Sequence, residues 1–312
     1  MIFLATNLTY FMANAFLDPR SNYLGRRPPI PEEQVTATLA KYNLNDKEPI
    51  LERWWNWLTD IFTSWNWGMS PTGVSVNSEV GYRVMTSAQL MLGATLMAAI
   101  LGVAIGVFTA SRQYSWADRF FQGLGIISMN THTVVASLVL VLAALKINAM
   151  AGTTVFFVTG SGTTGATGFD WFVDKVQHLT LPTLSLIFIS YAGYHFTQRS
   201  LLLDNLEADY VRTVRAKGLT RSQAIRKHAL RTSIIPVATS FAFSIPGIFT
   251  GAVITESVFA WKGMGQYFIQ TITQNDIHGV VAVAAFSALM TAIGAILSDI
   301  LVVFLDPRVR VS

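Results

Sequence analysis

Four long apolar runs, and a fifth broken by polar residues, set the pattern of the chain. Val84–Ala110, Phe120–Leu145, Ile234–Phe259 and Gly279–Leu305 are each long enough, as helices rising 1.5 Å per residue, to cross about 30 Å of hydrocarbon. The interrupted run, Leu179–Thr197, carries Pro182 near its start and Tyr191, Tyr194 and His195 inside. Gly93, Gly102 and Gly106 are small residues of the kind that let membrane helices approach closely. A shorter apolar stretch, MIFLATNLTYFMANAFL, opens the chain and reaches only roughly 25 Å as a helix. A signal peptide is its rival reading, because Ala13-Asn14-Ala15 resembles a cleavage site. The basic start is missing, however, and Asn7 interrupts the apolar core. Residues 1–17 are therefore read as the outer part of a first span whose cytoplasmic beginning precedes this chain. The pattern predicts an all-α polytopic membrane protein with about six transmembrane helices.

Between the runs lie three polar regions. Residues 18–80 are polar and aromatic. Pro28, Pro29 and Pro31 break the chain, and Pro31 is placed to open a short helix through Lys41. Then ILERWWNWLTDIFTSWNWG brings Trp54, Trp55, Trp57, Trp65 and Trp67 together, a cluster suited to a membrane–water interface. It either braces the fold or forms a ledge for an external partner. Residues 146–178 are rich in Gly and Thr but contain no G-x-x-x-x-G-K-[ST], so they are not a phosphate loop.

The third polar region, from Asp204 to Pro236, is the most informative. Leu203, Leu206, Tyr210, Val211 and Val214 keep helical spacing, which predicts one helix with an oily face. Gly218 is placed to end it in a left-handed turn, with Leu219 reaching back to Val214. Thr220 and Gln223 have the spacing of a capping box, so a second helix starts at once. This helix–elbow–helix unit carries Arg212, Arg215, Lys217, Arg221, Arg226, Lys227 and Arg231. On spacing alone it is a loop held to anionic lipid, a helix-turn-helix on nucleic acid phosphates, or a knob for a soluble partner. The flanking spans argue against the nucleic acid.

Composition narrows the class. Apolar residues make up 52% and charged residues 13% of the chain, against about 25% charged in an average soluble domain. The absence of cysteine excludes disulfides, thiolate nucleophiles and cysteine metal sites. The placement of charge sets orientation. Arg112 and Arg119, the seven basic residues of the elbow, and Arg308 and Arg310 mark the cytoplasmic side. Both termini are then cytoplasmic, and the long 18–80 segment is extracytoplasmic. His132 and His195 fall inside spans with no acid at helical spacing and read as structural, and Asp299 has no nearby basic partner. We therefore expect no catalytic, cofactor-binding or metal-binding residues. If transport is uphill, the energy enters from elsewhere. A lone secondary transporter or channel, and a scaffold that recruits a soluble protein, are the competing classes.

Asp209–Pro236, DYVRTVRAKGLTRSQAIRKHALRTSIIP, resembles the cytoplasmic coupling loop of ABC-importer permeases. Glu256–Gln266, ESVFAWKGMGQ, is similar to the E-T-V-F-x-W-P-G-x-G stretch of the dipeptide/oligopeptide/nickel type, and specifically of oligopeptide-importer B-type permeases. HLTLPTLSL (His178–Leu186), WGMSPTGVSV and the ending LDPRVR (Leu305–Arg310) also fit, so the resemblance runs from residue 18 to the end. Val214 stands where alanine is common, Lys262 where proline is usual, and Leu230-Arg231 where the wider family has Leu-Pro. The resemblance implies a type I ABC-importer permease fold. It divides the chain into a first transmembrane segment (1–17), an extracytoplasmic segment (18–80) and a permease domain (84–312) with a coupling loop at 203–233. It implies a non-catalytic subunit of the cell (inner or plasma) membrane that imports peptides, with nickel or another small solute as the alternative cargo. The implied partners are a homologous second permease, two cytoplasmic ATPases that hold the ATP and Mg, an external substrate-binding protein and membrane lipid. The residues it assigns to ATPase coupling are Asp209, Tyr210, Val211, Arg212, Val214, Arg215, Ala216, Lys217, Gly218 and Leu219. Glu256, Trp261, Gly263 and Gly265 are expected either to form a flexible outer gate that meets the binding protein or to be ordinary loop packing.

Overall fold

The computed structural model describes residues 1–305 apart from Arg26, Thr164 and Ala166. The ending LDPRVR beyond Leu305, with Arg308 and Arg310, lies outside the described residues. In chain order the helices are α1 (Ile2–Phe16), α2 (Glu32–Lys41), α3 (Ile50–Ser64), α4 (Val76–Ser111), α5 (Trp116–Asn130), α6 (Thr133–Ala151), α7 (Gly168–Glu207), α8 (Asp209–Ala216), α9 (Arg221–Ala224), α10 (Leu230–Phe243), α11 (Ile245–Thr250), α12 (Val253–Val258), α13 (Met264–Thr273) and α14 (Ile277–Leu305). By length and composition three helices among the described residues can cross a membrane: Val76–Ser111, Thr133–Ala151 and Ile277–Leu297. They become four if Arg221–Phe243 and Ile245–Val258 form one broken span.

Three apolar runs fold differently from their hydropathy; the expected span Ile234–Phe259 is divided among α10, α11 and α12. Phe120–Leu145 is not one helix. Asn130 and Thr131 turn their side chains back onto the carbonyls of Ile126 and Ile127, and His132 Nδ1 accepts the Val134 N–H at 3.4 Å. His132 thus caps the start of α6 instead of lying inside a span. The interrupted run also extends further than expected. α7 is one helix of 40 residues that takes in the polar stretch before Leu179 and continues through Pro182. Pro31 precedes the helix it was expected to open.

The chain divides into two units, and helix α4 begins in the first and ends in the second. The first unit comprises Met1–Ala88, Phe249–Ser257 and Trp261–Ala292. Its core gathers Tyr10, Leu39, Leu44, Trp57, Ile277 and Val281. Trp57 stacks on Tyr10 with ring centres 4.7 Å apart, and Trp54 Nε1 donates to Asn7 Oδ1 at 2.6 Å. The tryptophan cluster is therefore shared between core and surface: Trp57 is buried, whereas Trp55 and Trp65 are exposed. The aromatic helix α3 holds α1 by these contacts.

The second unit comprises Gln89–Ile248, Val258–Ala260 and the chain from Ile293. It is built on α7, whose buried face meets the inner halves of its neighbours. Ala98, Tyr191 and Ala192 form one buried cluster. Ser137 and Ser185 share a buried hydrogen bond of 2.8 Å. His195, fully buried, sits 3.2 Å from Thr109 Oγ1, in keeping with a structural histidine.

Candidate functional site

The basic segment is folded by local rules. α7 ends at Glu207 because Ala208 is extended, with ψ near 145°. The single helix expected across Leu203–Val214 is therefore two helices with a break at Ala208. Val211 and Arg212 N–H groups close onto the Ala208 carbonyl to start α8, which is about 12 Å long at eight residues. At its other end Gly218 takes φ +95°. The Gly218 N–H bonds to Arg215 O at 3.0 Å and the Leu219 N–H to Val214 O at 3.3 Å. These are the two bonds of a Schellman ending, and the left-handed φ is one that glycine adopts without steric cost. The elbow leads directly into α9. Thr220 N–H donates to Gln223 Oε1 at 3.0 Å, and Gln223 N–H donates to Thr220 Oγ1 at 3.3 Å, completing the capping box. A single π turn, Ile225–Ala229, then passes the chain into α10.

Packing decides which face of this unit is free. Val211 is 1% exposed and lies in a core with Ala110, Leu202, Ala224, Ile225 and Ala229, to which Val214 and Leu206 add. This overturns the expectation that Val211 faces a partner: the stripe of α8 is covered by its own chain. The outward surface is Tyr210, Arg212, Arg215, Ala216, Lys217 and Gly218, with Val214 and Leu219 half-buried beside it. Tyr210 is held in place by its hydroxyl, which donates to Asn205 Oδ1 at 2.5 Å. The Asp209–Arg212 pair at 3.8 Å is fully exposed and contributes little. The elbow is thus a basic, solvent-facing tip on an apolar foot.

Near the foot stands an ion pair that the sequence did not single out. Arg199 Nε and Nη2 donate to the two oxygens of Asp118, each at 2.9 Å. Asp118 also accepts from Tyr114 N–H and Gln122 Nε2. Burial pushes the Asp118 carboxyl up, but Arg199 and these donors outweigh it and hold it below its usual value. The pair ties α7 to the first turn of α5.

The second candidate group, in the first unit, is closed instead of open. Glu256 and Trp261 are both fully buried, as are Gly263, Met264 and Gly265. The Glu256 carboxylate accepts Ser87 Oγ–H at 2.6 Å, Gln266 N–H at 3.0 Å and Ala252 N–H at 3.3 Å. Ser87 Oγ in turn accepts Met264 N–H at 2.7 Å. The Trp261 indole N–H donates to Thr86 O at 2.9 Å. A Cβ on Gly263 would stand 2.4 Å from Ser87 Oγ. The expectation of a flexible gate presenting Glu256, Trp261, Gly263 and Gly265 to a binding protein is therefore corrected. The turn is locked around a buried carboxylate, and Lys262 is its exposed residue. Arg83 stands beside it, paired with Glu79 at 2.9 Å and bonded to Gln266 and Gln270. Reading the sequence missed Ser87, Thr86 and Arg83. Their signal was polar side chains at the mouth of an apolar run.

Comparison with known proteins places these features. The profile of the family described as binding-protein-dependent transport system inner membrane component matches residues 102–311. The oligopeptide transport system permease protein OppB of Mycobacterium tuberculosis is 37% identical, over 100% of this chain and 96% of its own length. The oligopeptide transport system permease protein AppB of Bacillus subtilis is 31% identical, over 91% of this chain and 87% of its own. The dipeptide transport system permease protein DppB of Lactococcus lactis is 28% identical, over 99% and 95%. A match over most of the chain that takes in α7, the elbow and the buried Glu256 turn settles the assignment: this multi-pass membrane protein belongs to the family of binding-protein-dependent transport system inner membrane components.

Proposed function

We propose that this chain is the permease subunit of an ATP-driven peptide importer, and that the elbow at Gly218 is where two cytoplasmic ATPases attach. The observation that carries the coupling role is the elbow's construction. A short helix is seated on its own core through Val211, ends in a Schellman turn, and runs through α9 and a π turn into α10 without a flexible linker. Force applied to Arg212, Arg215, Lys217 or Tyr210 is delivered to α7 and α10 directly. The arginines set register at the rim of the ATPase, where charge gives specificity more than affinity. Peptide is the cargo favoured by the relatives from Mycobacterium, Bacillus and Lactococcus, each of which is an oligopeptide or dipeptide permease. On this reading the chain is non-catalytic and lies in the cell membrane with both termini cytoplasmic. It shares the path with a second permease and receives solute from an external binding protein, while ATP and Mg reside on the ATPases.

The test is purification of the tagged chain in mild detergent, followed by reconstitution. The second permease and ATPases should co-purify, and vesicles should take up trialanine only with ATP and binding protein. A homomeric chain that moves solute without ATP refutes the proposal. Because the chain lacks cysteine, Ser75→Cys and Ser222→Cys report orientation on intact cells. An impermeant maleimide should label the first and spare the second.

A further inference from the structure

A cavity of about 340 Å³ opens between α7 and α10, lined by Ser190, Gly193, Tyr194, Thr197, Val237 and Ser240. Its lining is rich in hydroxyls. Serines and threonines elsewhere in these helices turn their hydroxyls back onto the preceding turn: Thr180 onto Val176 O, Thr239 onto Ile235 O, and Ser240 itself onto Pro236 O. Ser190, Tyr194 and Thr197 make no such bond, and none to any other described residue. They lie at i, i+4 and i+7 on one face of α7, inside the polar-interrupted run Leu179–Thr197. A hydroxyl left unpaired in an apolar medium costs roughly 2–7 kcal/mol, so these side chains favour polar surroundings. Three such groups lining one cavity suit a polar occupant. Ser190, Gly193, Thr197 and Ser240 are also exposed, whereas α6 in the same unit exposes Leu138, Val139, Leu142 and Leu145 along one stretch.

We infer that this cavity is part of the wall along which the imported solute passes, and that Ser190, Tyr194 and Thr197 bind the main-chain amides of a peptide; this rests on the importer reading above. The length fits. From Ser190 to Thr197 α7 rises about 10 Å, and three residues of extended chain span about 10 Å. A hydroxyl both donates and accepts, so it serves a peptide N–H or C=O equally. The lining holds no charged residue, so a peptide's own charges find no fixed counter-charge to hold them there. Weak, sequence-indifferent contact is what a path needs, because a site that binds tightly does not release. Gly193 keeps the floor low, and a Cβ there would meet nothing within 4 Å. A larger side chain at this position therefore fills the cavity without straining the fold.

The experiment uses the reconstituted importer with its partners. Ser190→Cys, Thr197→Cys and, as a control on an exposed apolar face, Leu142→Cys are treated with a charged methanethiosulfonate reagent. The two cavity cysteines should react at least 10-fold faster than the control, and trialanine with ATP and binding protein should slow them at least 3-fold. Gly193→Leu should cut trialanine uptake at least 10-fold while the ATPases still co-purify. Labelling no faster than at Leu142→Cys, or labelling that appears only once the second permease is removed, overturns the inference, the latter by making the cavity a subunit contact. Labelling that trialanine does not slow, or full uptake by Gly193→Leu, overturns it too. Trialanine uptake by the wild-type complex is read separately. If that fails, the peptide reading falls with this one; if it holds while the labelling contrast is absent, only this inference falls.

Discussion

Gly263→Ala isolates the lock around Glu256. The added Cβ would stand 2.4 Å from Ser87 Oγ and 2.5 Å from the Glu256 carboxyl carbon, about 1 Å inside ordinary contact. Neither neighbour can yield freely. Ser87 is held by Glu256 at 2.6 Å and Met264 N–H at 2.7 Å, and Glu256 by two further backbone N–H groups. Overpacking of this kind costs about 1–3 kcal/mol. If Ser87 is driven away, the buried carboxylate loses a donor at a further cost of about 1–3 kcal/mol. The sum centres near 4 kcal/mol. At about 2–4 °C per kcal/mol for chains of 150–250 residues, the expected fall in melting temperature is on the order of 10 °C. Thermal unfolding of the purified chain in detergent, followed by tryptophan fluorescence, reads it. Gly93→Ala is the control, because a Cβ there meets nothing within 4 Å and alanine favours the helix. Adding Ser87→Ala to Gly263→Ala should cost less than the two changes summed, since both act on one contact. A Gly263→Ala protein melting within 2 °C of wild type would show that the turn is loose and that the locking argument is wrong.

Three further outcomes follow from the same geometry. Gly218→Val forces a β-branched residue to φ +95°; it should cost about 1–2 kcal/mol and abolish ATP-driven uptake with the protein still inserted, whereas Arg226→Ala should retain most uptake. Val211→Asp buries a charge in the foot of the elbow and should lower the melting temperature by several degrees, where Arg212→Asp, on the exposed face, should leave it unchanged. Asp276, 2% exposed ahead of α14, has its pKa raised by burial to about 6 from 3.8. The folded state therefore holds the proton more tightly, and stability rises as pH falls from above 6 towards 4. Asp276→Asn, still able to accept the Gly279 N–H, should melt higher than wild type at pH 8, by up to about 3 kcal/mol of stability, and match it near pH 4.

What could be read from the sequence divides along the range of the forces involved. The elbow was legible in detail because its bonds close within six residues: Gly218 to Arg215, Leu219 to Val214, Thr220 with Gln223. The all-helical membrane class followed from hydropathy alone. The break at Thr131–His132 was hidden because apolar residues flank it on both sides and hydropathy does not register a cap. The oily stripe of α8 gave Val211 a buried face without saying whose surface would cover it. Glu256 was noticed and misplaced. Its partner Ser87 lies 169 positions away, and no local pattern announces such a bond, so the sequence does not show the carboxylate enclosed by the turn.

The π turn at Ile225–Ala229 has a consequence for chain length. There the Leu230 N–H reaches Ile225 O, five residues back, so the turn holds one residue more than the α-helix around it. Removing one residue among Arg226, Lys227 and His228 lets the turn relax to α and leaves both flanks in phase. The same deletion between Ser233 and Ser240 would rotate one end of α10 against the other by about 100°, swinging Ser240 away from the α7 cleft. Single-residue length differences among relatives should therefore gather at this turn, the expansion joint between the basic tip and a helix that must keep its facing.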